Sequence, residues 1–209
     1  MNTNKIRRMI KEAIATEKSS GILSDAVDTF VRMNGRSLTA KQRKQVVKMV
    51  EDYVVHVPAV IEAITTAAKK YGIYNQIQPM LKAAEDYFFA PIDIIPDHLG
   101  LLGLLDDAYL AHSLVQSLSD SYKNQTGKTL IPVDISGVNA SMRNLIGEPH
   151  ASMLDAAVAN VLGGPSIQQS LLSLLNAGGG FNMAGPDPIW GNASMDEIVN
   201  TRLGAMGLV

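Results

Sequence analysis

Apolar residues recur with a helical period from the start of the chain. Ile6, Met9, Ile10, Ala13 and Ile14 follow at i, i+3, i+4, i+7 and i+8, with Lys5, Arg8, Lys11 and Glu12 opposite them. That spacing predicts an amphipathic helix. Val27, Phe30 and Val31 predict a short second helix, capped by Ser24 and ended by Asn34-Gly35. Thr39-Ala40-Lys41-Gln42 reads as a capping box, in which the Thr hydroxyl takes an orphan amide and Gln reaches back. The helix it opens buries Val46, Val47, Val50, Tyr53 and Val54. Pro58 is expected in the first turn of a separate helix, where a missing N–H leaves nothing unsatisfied. Val60, Ile61, Ile64, Ala67, Ala68 and Tyr71 continue that helix to a stop at Gly72, and another follows over 76–89.

Pro91 and Pro96 then impose a non-helical stretch, since each lacks an amide donor and restricts the residue before it. A helix resumes at Gly103 and runs to Tyr122. Leu104, Leu105, Ala108, Leu110, Ala111, Leu114, Val115 and Leu118 cover most of its circumference, so it is expected at the centre of the molecule. The segment 129–135 is strand-like, but Pro132 demotes it to an extended connector. Shorter helices are expected over 136–146, 151–162 and 166–176, and the capping box Ser194-Met195-Asp196-Glu197 opens a last one toward Met206. The expected fold is all-α: a helical bundle with a Pro-kinked helical hairpin over 1–128, and a smaller, Gly-rich helical region over 129–209.

Composition narrows the chemistry. No Cys occurs, which excludes disulfides, thiolate metal sites and cysteine nucleophiles. Only 5% of the 209 residues are aromatic, against 46% hydrophobic, which favours helices over a β-sandwich. The basic N-terminus has no apolar run behind it, so no secretory signal is read there and the cytoplasm is the expected location. Net charge is −2, yet residues 1–82 hold 14 Lys/Arg against 7 Asp/Glu, while 83–209 hold 4 against 13. Such asymmetry fits solvated faces, attraction between the two parts, or contact between neighbouring copies. No charged residue occurs over 156–186. Gly163-Gly164-Pro165 and Gly178-Gly179-Gly180 interrupt it, so it is no membrane span. It reads as docked helices or as an adhesive surface, with 178–191 as a mobile arm.

One stretch concentrates polar anchors. Tyr87 leads through Pro91-Ile92-Asp93-Ile94-Ile95-Pro96-Asp97 to Gly103-Leu104-Leu105-Asp106-Asp107. This resembles the core signature of the YkvA-like family, a bacterial and archaeal domain of unknown function, over residues 80–120. The resemblance implies a helix–kink–helix hairpin, sometimes predicted to associate with membranes, and no activity. Read physically, Asp93, Asp97, His98, Asp106 and Asp107 gather four carboxylates and an imidazole around a rigid turn. One reading makes them turn and helix caps, with one of Asp106 and Asp107 accepting a hydrogen bond from a buried donor. The other makes them oxygen ligands of a divalent cation, Mg²⁺, Mn²⁺ or Ca²⁺.

No other motif completes a catalytic set. Gly127-Lys128-Thr129 lacks the first glycine of a phosphate-binding loop, which would fall at Tyr122. His56, His98, His112 and His150 are scattered, and Glu148-Pro149-His150 with Asp155 reads better as a helix start than as a metal pattern. Lys41, Lys44 and Lys48 share a face beside Arg43, without the interleaved aromatics of a nucleic-acid surface. The expected function is therefore a non-enzymatic protein-interaction or assembly module, with another protein or further copies of the chain as partner. The alternatives are a metal-binding domain or metal-dependent enzyme built on the acidic kink, and a peripheral membrane protein using the basic first helix on an anionic surface.

Overall fold

The computed structural model describes residues 2–33, 35, 37–70, 72, 74–90, 94–127, 135–165, 167–169 and 172. Their order is α1 (Thr3–Ser20), α2 (Ile22–Met33), α3 (Ala40–Lys70), α4 (Tyr74–Tyr87), a 3-10 turn (Asp97–Leu99), α5 (Gly103–Thr126), α6 (Ser136–Ile146) and α7 (His150–Gly163). The fold is an all-α helical bundle. Residues 129–134 of the expected connector, the arm over 178–191 and the last helix from Ser194 lie outside the described residues, and of the helix expected over 166–176 only 167–169 and 172 are described.

The starts of the first three helices have local chemical causes. The Asn2 side chain accepts from the Lys5 amide at 3.1 Å and caps α1, which ends where Gly21 takes a φ of +68°. The capping box of α3 is formed: Thr39 N–H donates to Gln42 Oε1 at 2.9 Å, and Gln42 N–H to Thr39 Oγ1 at 3.3 Å. Ser24 is not the cap of α2, which begins at Ile22. The buried Glu17 of α1 takes that role across the Gly21 turn, accepting from the Leu23 amide at 2.8 Å and the Ser24 amide at 3.1 Å. A carboxylate there also meets the positive end of the α2 dipole.

Pro58 does not start a helix. It lies inside α3, which is continuous over 31 residues. An interior proline loses one hydrogen bond and strains the preceding turn, at about 3 kcal/mol. Val54, Val57, Ile61 and Ile64 are all buried on either side of it. Each such aliphatic contributes about 1.5–3 kcal/mol on burial, so a helix that keeps all four against the bundle outweighs the break.

α5 is the central element, as its near-continuous apolar circumference leads one to expect. It touches α3, α4, α6 and α7. Leu105, Ala108, Leu110, Ala111 and Leu114 belong to a core that also takes Ile6 and Ile10 from α1, Val27 from α2, Val50 and Ile61 from α3, and Phe88 beyond α4. Val138, Met142, Leu154 and Val158 join the same core, so α6 and α7 pack on the bundle. A second cluster, around Val60, Ile64, Ile77, Leu81 and Leu118, closes the α3–α4–α5 end. Among the described residues no helix is long and apolar enough to cross a membrane.

Candidate functional site

α4 ends at Tyr87, where the Phe89 and Ala90 amides turn back onto the Asp86 and Tyr87 carbonyls. Phe88 plugs into the core at the turn. The chain returns with Ile95 buried and Pro96 exposed, and the Leu99 amide donates to the Pro96 carbonyl at 3.0 Å to close the 3-10 turn. Gly100 then adopts a φ of +65° against α1, where a Cβ would lie 3.1 Å from Thr16 Cγ2. The backbone requires glycine there, and the space is tight enough that Thr16 would have to give way to a Cβ. Gly100→Ala is expected to cost about 2 kcal/mol and to lower the melting temperature by roughly 4–8 °C, read by thermal unfolding. A melt superimposable on wild type would contradict the close approach.

Asp106 stands in the first turn of α5, fully buried. Its Oδ2 accepts from the Ile95 amide at 2.9 Å, and its Oδ1 lies 3.0 Å from the Asp107 amide. The carboxylate therefore fastens the returning strand of the kink onto the start of the central helix, at the end where the helix dipole favours negative charge. Asp107 is also buried, at 1% exposure. His98 differs: it is exposed on the 3-10 turn and lines a small cavity of about 250 Å³ with Met9, Glu12, Thr16 and Leu104. Asp93 lies outside the described residues, as does the side chain of Asp97. Of the five candidate ligands, then, Asp106 and Asp107 come together inside the bundle while His98 faces outward. Among the described residues no three His, Asp or Glu side chains converge as a metal site.

The other acidic pattern resolves into an ion-pair network. Arg143 Nε donates to Asp155 at 2.8 Å and its Nη2 to Glu148 at 3.0 Å, joining α6 to α7. The Ser152 amide donates to Glu148 at 3.2 Å, so Glu148 caps α7 as the helix-start reading expects. Tyr109 Oη donates to Asp155 at 2.7 Å and ties α5 to the same pair. Burial, and then that hydrogen bond, push the Tyr109 phenol up to about 12.

Sequence reasoning passed over a polar group at the centre of the core. Tyr53 Oη donates to Asn139 Oδ1 at 2.7 Å, both residues being buried. The Tyr53 ring packs on His112, with centroids 4.3 Å apart. His112 is 1% exposed, and neither ring nitrogen has a hydrogen-bond partner among the described residues. Burial, assisted by the nearby His56, drives its pKa down to about 3, so it is a neutral imidazole at physiological pH. The signal was its position: His112 falls between Ala111 and Leu114 on a helix apolar nearly all round.

Neither a curated protein nor a solved structure matches the chain. A family model described as "Protein of unknown function (DUF1232)" matches residues 86–112, a segment that runs from the end of α4 through the kink to His112 on α5, consistent with a YkvA-like domain of unknown function.

Proposed function

We propose that the chain is a non-enzymatic protein-interaction or assembly module. The observation that carries this reading is the burial of the kink's two α5 aspartates. Asp106 binds a backbone amide of its own turn, and Asp107 is buried beside it. A carboxylate that acts on a substrate must reach it, within hydrogen-bond range and through an open approach. Asp106 fastens the hairpin instead and Asp107 is closed off beside it, which leaves the outer faces of the helices to supply function.

Those faces differ in charge. Lys5, Arg7, Arg8, Lys11 and Lys18 are exposed along α1 against one exposed carboxylate there, Glu12, whereas on the other helices exposed Asp86 is paired with Lys82 and Glu148 with Arg143. The apolar stripe of α1, Ile6, Ile10 and Ala13, is buried in the bundle. A helix that binds a bilayer inserts its apolar face. α1 keeps most of its apolar stripe in the bundle and offers chiefly its polar side, which favours a protein partner over a membrane. Sedimentation equilibrium of the full chain across ionic strength tests the reading. The expected result is association at low salt that weakens as the Debye length shortens, from about 30 Å at 0.01 M to about 8 Å at 0.15 M. A monomer at every salt concentration would remove self-assembly.

A further inference from the structure

The outer edge of α1 and the middle of α3 enclose a groove of about 430 Å³, lined by Arg7, Lys11, Ile14, Lys18, Val55 and Pro58 among others. Its floor is apolar. Val55 is one of the exposed large hydrophobics of the described surface, at 38%, and Ile14 is half-buried. Its rim is cationic, and among the described residues no carboxylate lines it. Arg7 is held by Glu62 of α3 at 2.6 Å, but Lys11 and Lys18 have no ion-pair partner among the described residues.

The register of these cations is informative. Lys11 and Lys18 are seven residues apart, two helical turns or about 10 Å on the same edge of α1, with Ile14 between them. This is the arrangement that a helix packed lengthwise reads: apolar contacts along the seam, and charges at heptad spacing on its flank. The groove follows α1 for about three turns, from Arg7 to Lys18, the length of contact that a partner helix packed lengthwise would make. We infer that this groove receives an acidic amphipathic helix of a partner protein, whose apolar face lies on Ile14 and Val55 and whose heptad-spaced carboxylates meet Lys11 and Lys18. The inference rests on the reading of the chain as an interaction module. It can fail while salt-dependent self-association stands, so the two are separable.

The test is a fluorescence-anisotropy titration of the full chain with a labelled synthetic helix of about five turns, leucine on one face and glutamate at heptad spacing beside it. A peptide of the same composition in scrambled order serves as control. The expected result is saturable binding to the ordered peptide at least about tenfold tighter than to the scrambled one, a difference of about 1.4 kcal/mol. Lys11→Glu/Lys18→Glu is expected to weaken it by at least about tenfold, and Val55→Glu to do the same. Both lysines are exposed, so the double variant keeps its thermal melt, and a charge-reversed peptide with lysine for glutamate restores binding to it. Equal binding of the scrambled peptide would reduce the groove to a charged surface. Unchanged affinity in the double variant overturns the inference. So does binding to vesicles of phosphatidylglycerol with none to the peptide, which would assign the lysines to a membrane.

Discussion

Asp106→Ala is expected to lower the melting temperature by roughly 6–12 °C, more than any other single change in the kink. The carboxylate is fully buried and accepts from the Ile95 amide at 2.9 Å. Removing it leaves that amide buried without its acceptor, at about 1–3 kcal/mol, and forfeits a charge-assisted bond at a helix N-terminus. A total near 3 kcal/mol corresponds to that shift for a chain of this length, at about 2–4 °C per kcal/mol. Asp106→Asn keeps the shape and one acceptor oxygen, so it should lose about half as much. The order wild type, Asn, Ala is the readout. Equal melts for all three would show that the kink does not depend on this bond.

His112 carries the second large effect, and it acts through pH. Its pKa is about 6.5 in an unfolded chain and is depressed to about 3 in the fold by burial. Above pH 6.5 both states are neutral and the group contributes no slope. Below it the unfolded chain takes up a proton that the folded chain refuses, so stability falls as the pH is lowered toward 3. The loss approaches roughly 1.4 kcal/mol per pH unit, or about 3 kcal/mol between pH 6.5 and 4. Carboxylates titrate in the same range, so the comparison is between slopes. His112→Leu removes the uptake and should flatten the curve of stability against pH by that amount, whatever its packing does at neutral pH. Parallel curves for the two proteins would mean that His112 takes up its proton inside the fold, donating to an acceptor in the core.

The features legible in the sequence were those decided within one helical turn or by a strong period. The Thr39–Gln42 capping box, the span 136–146 and the all-round apolar face of α5 follow from neighbours in the chain. Pro58 was misread because the local rule that breaks a helix there is overridden by the burial of Val54, Val57, Ile61 and Ile64 against other helices. Ser24 looks like a cap by residue type, while the acceptor comes from Glu17 on the preceding helix, brought round by Gly21. The kink shows the same division. That one of the paired aspartates would accept from a buried donor was readable. That it would be Asp106, and that the donor would be Ile95, depends on a turn whose geometry no spacing rule supplies. In the sequence His112 is one of four scattered histidines, for a similar reason: its surroundings are made by Tyr53, a residue of another helix.

The central claim is that the aspartates of the kink serve the fold. Thermal unfolding of wild type and of Asp106→Asn/Asp107→Asn in chelator, and then with excess Mg²⁺, Mn²⁺ or Ca²⁺, tests it most directly. A cation bound at about 100 times its dissociation constant would stabilise the protein by about 2.7 kcal/mol, a shift a melt resolves. The expected result is a wild-type melt that is the same in chelator and in each metal, with the double variant lower by a constant amount in all of them. A metal-dependent rise in wild type that disappears in the double variant would contradict the claim and make the kink a cation site.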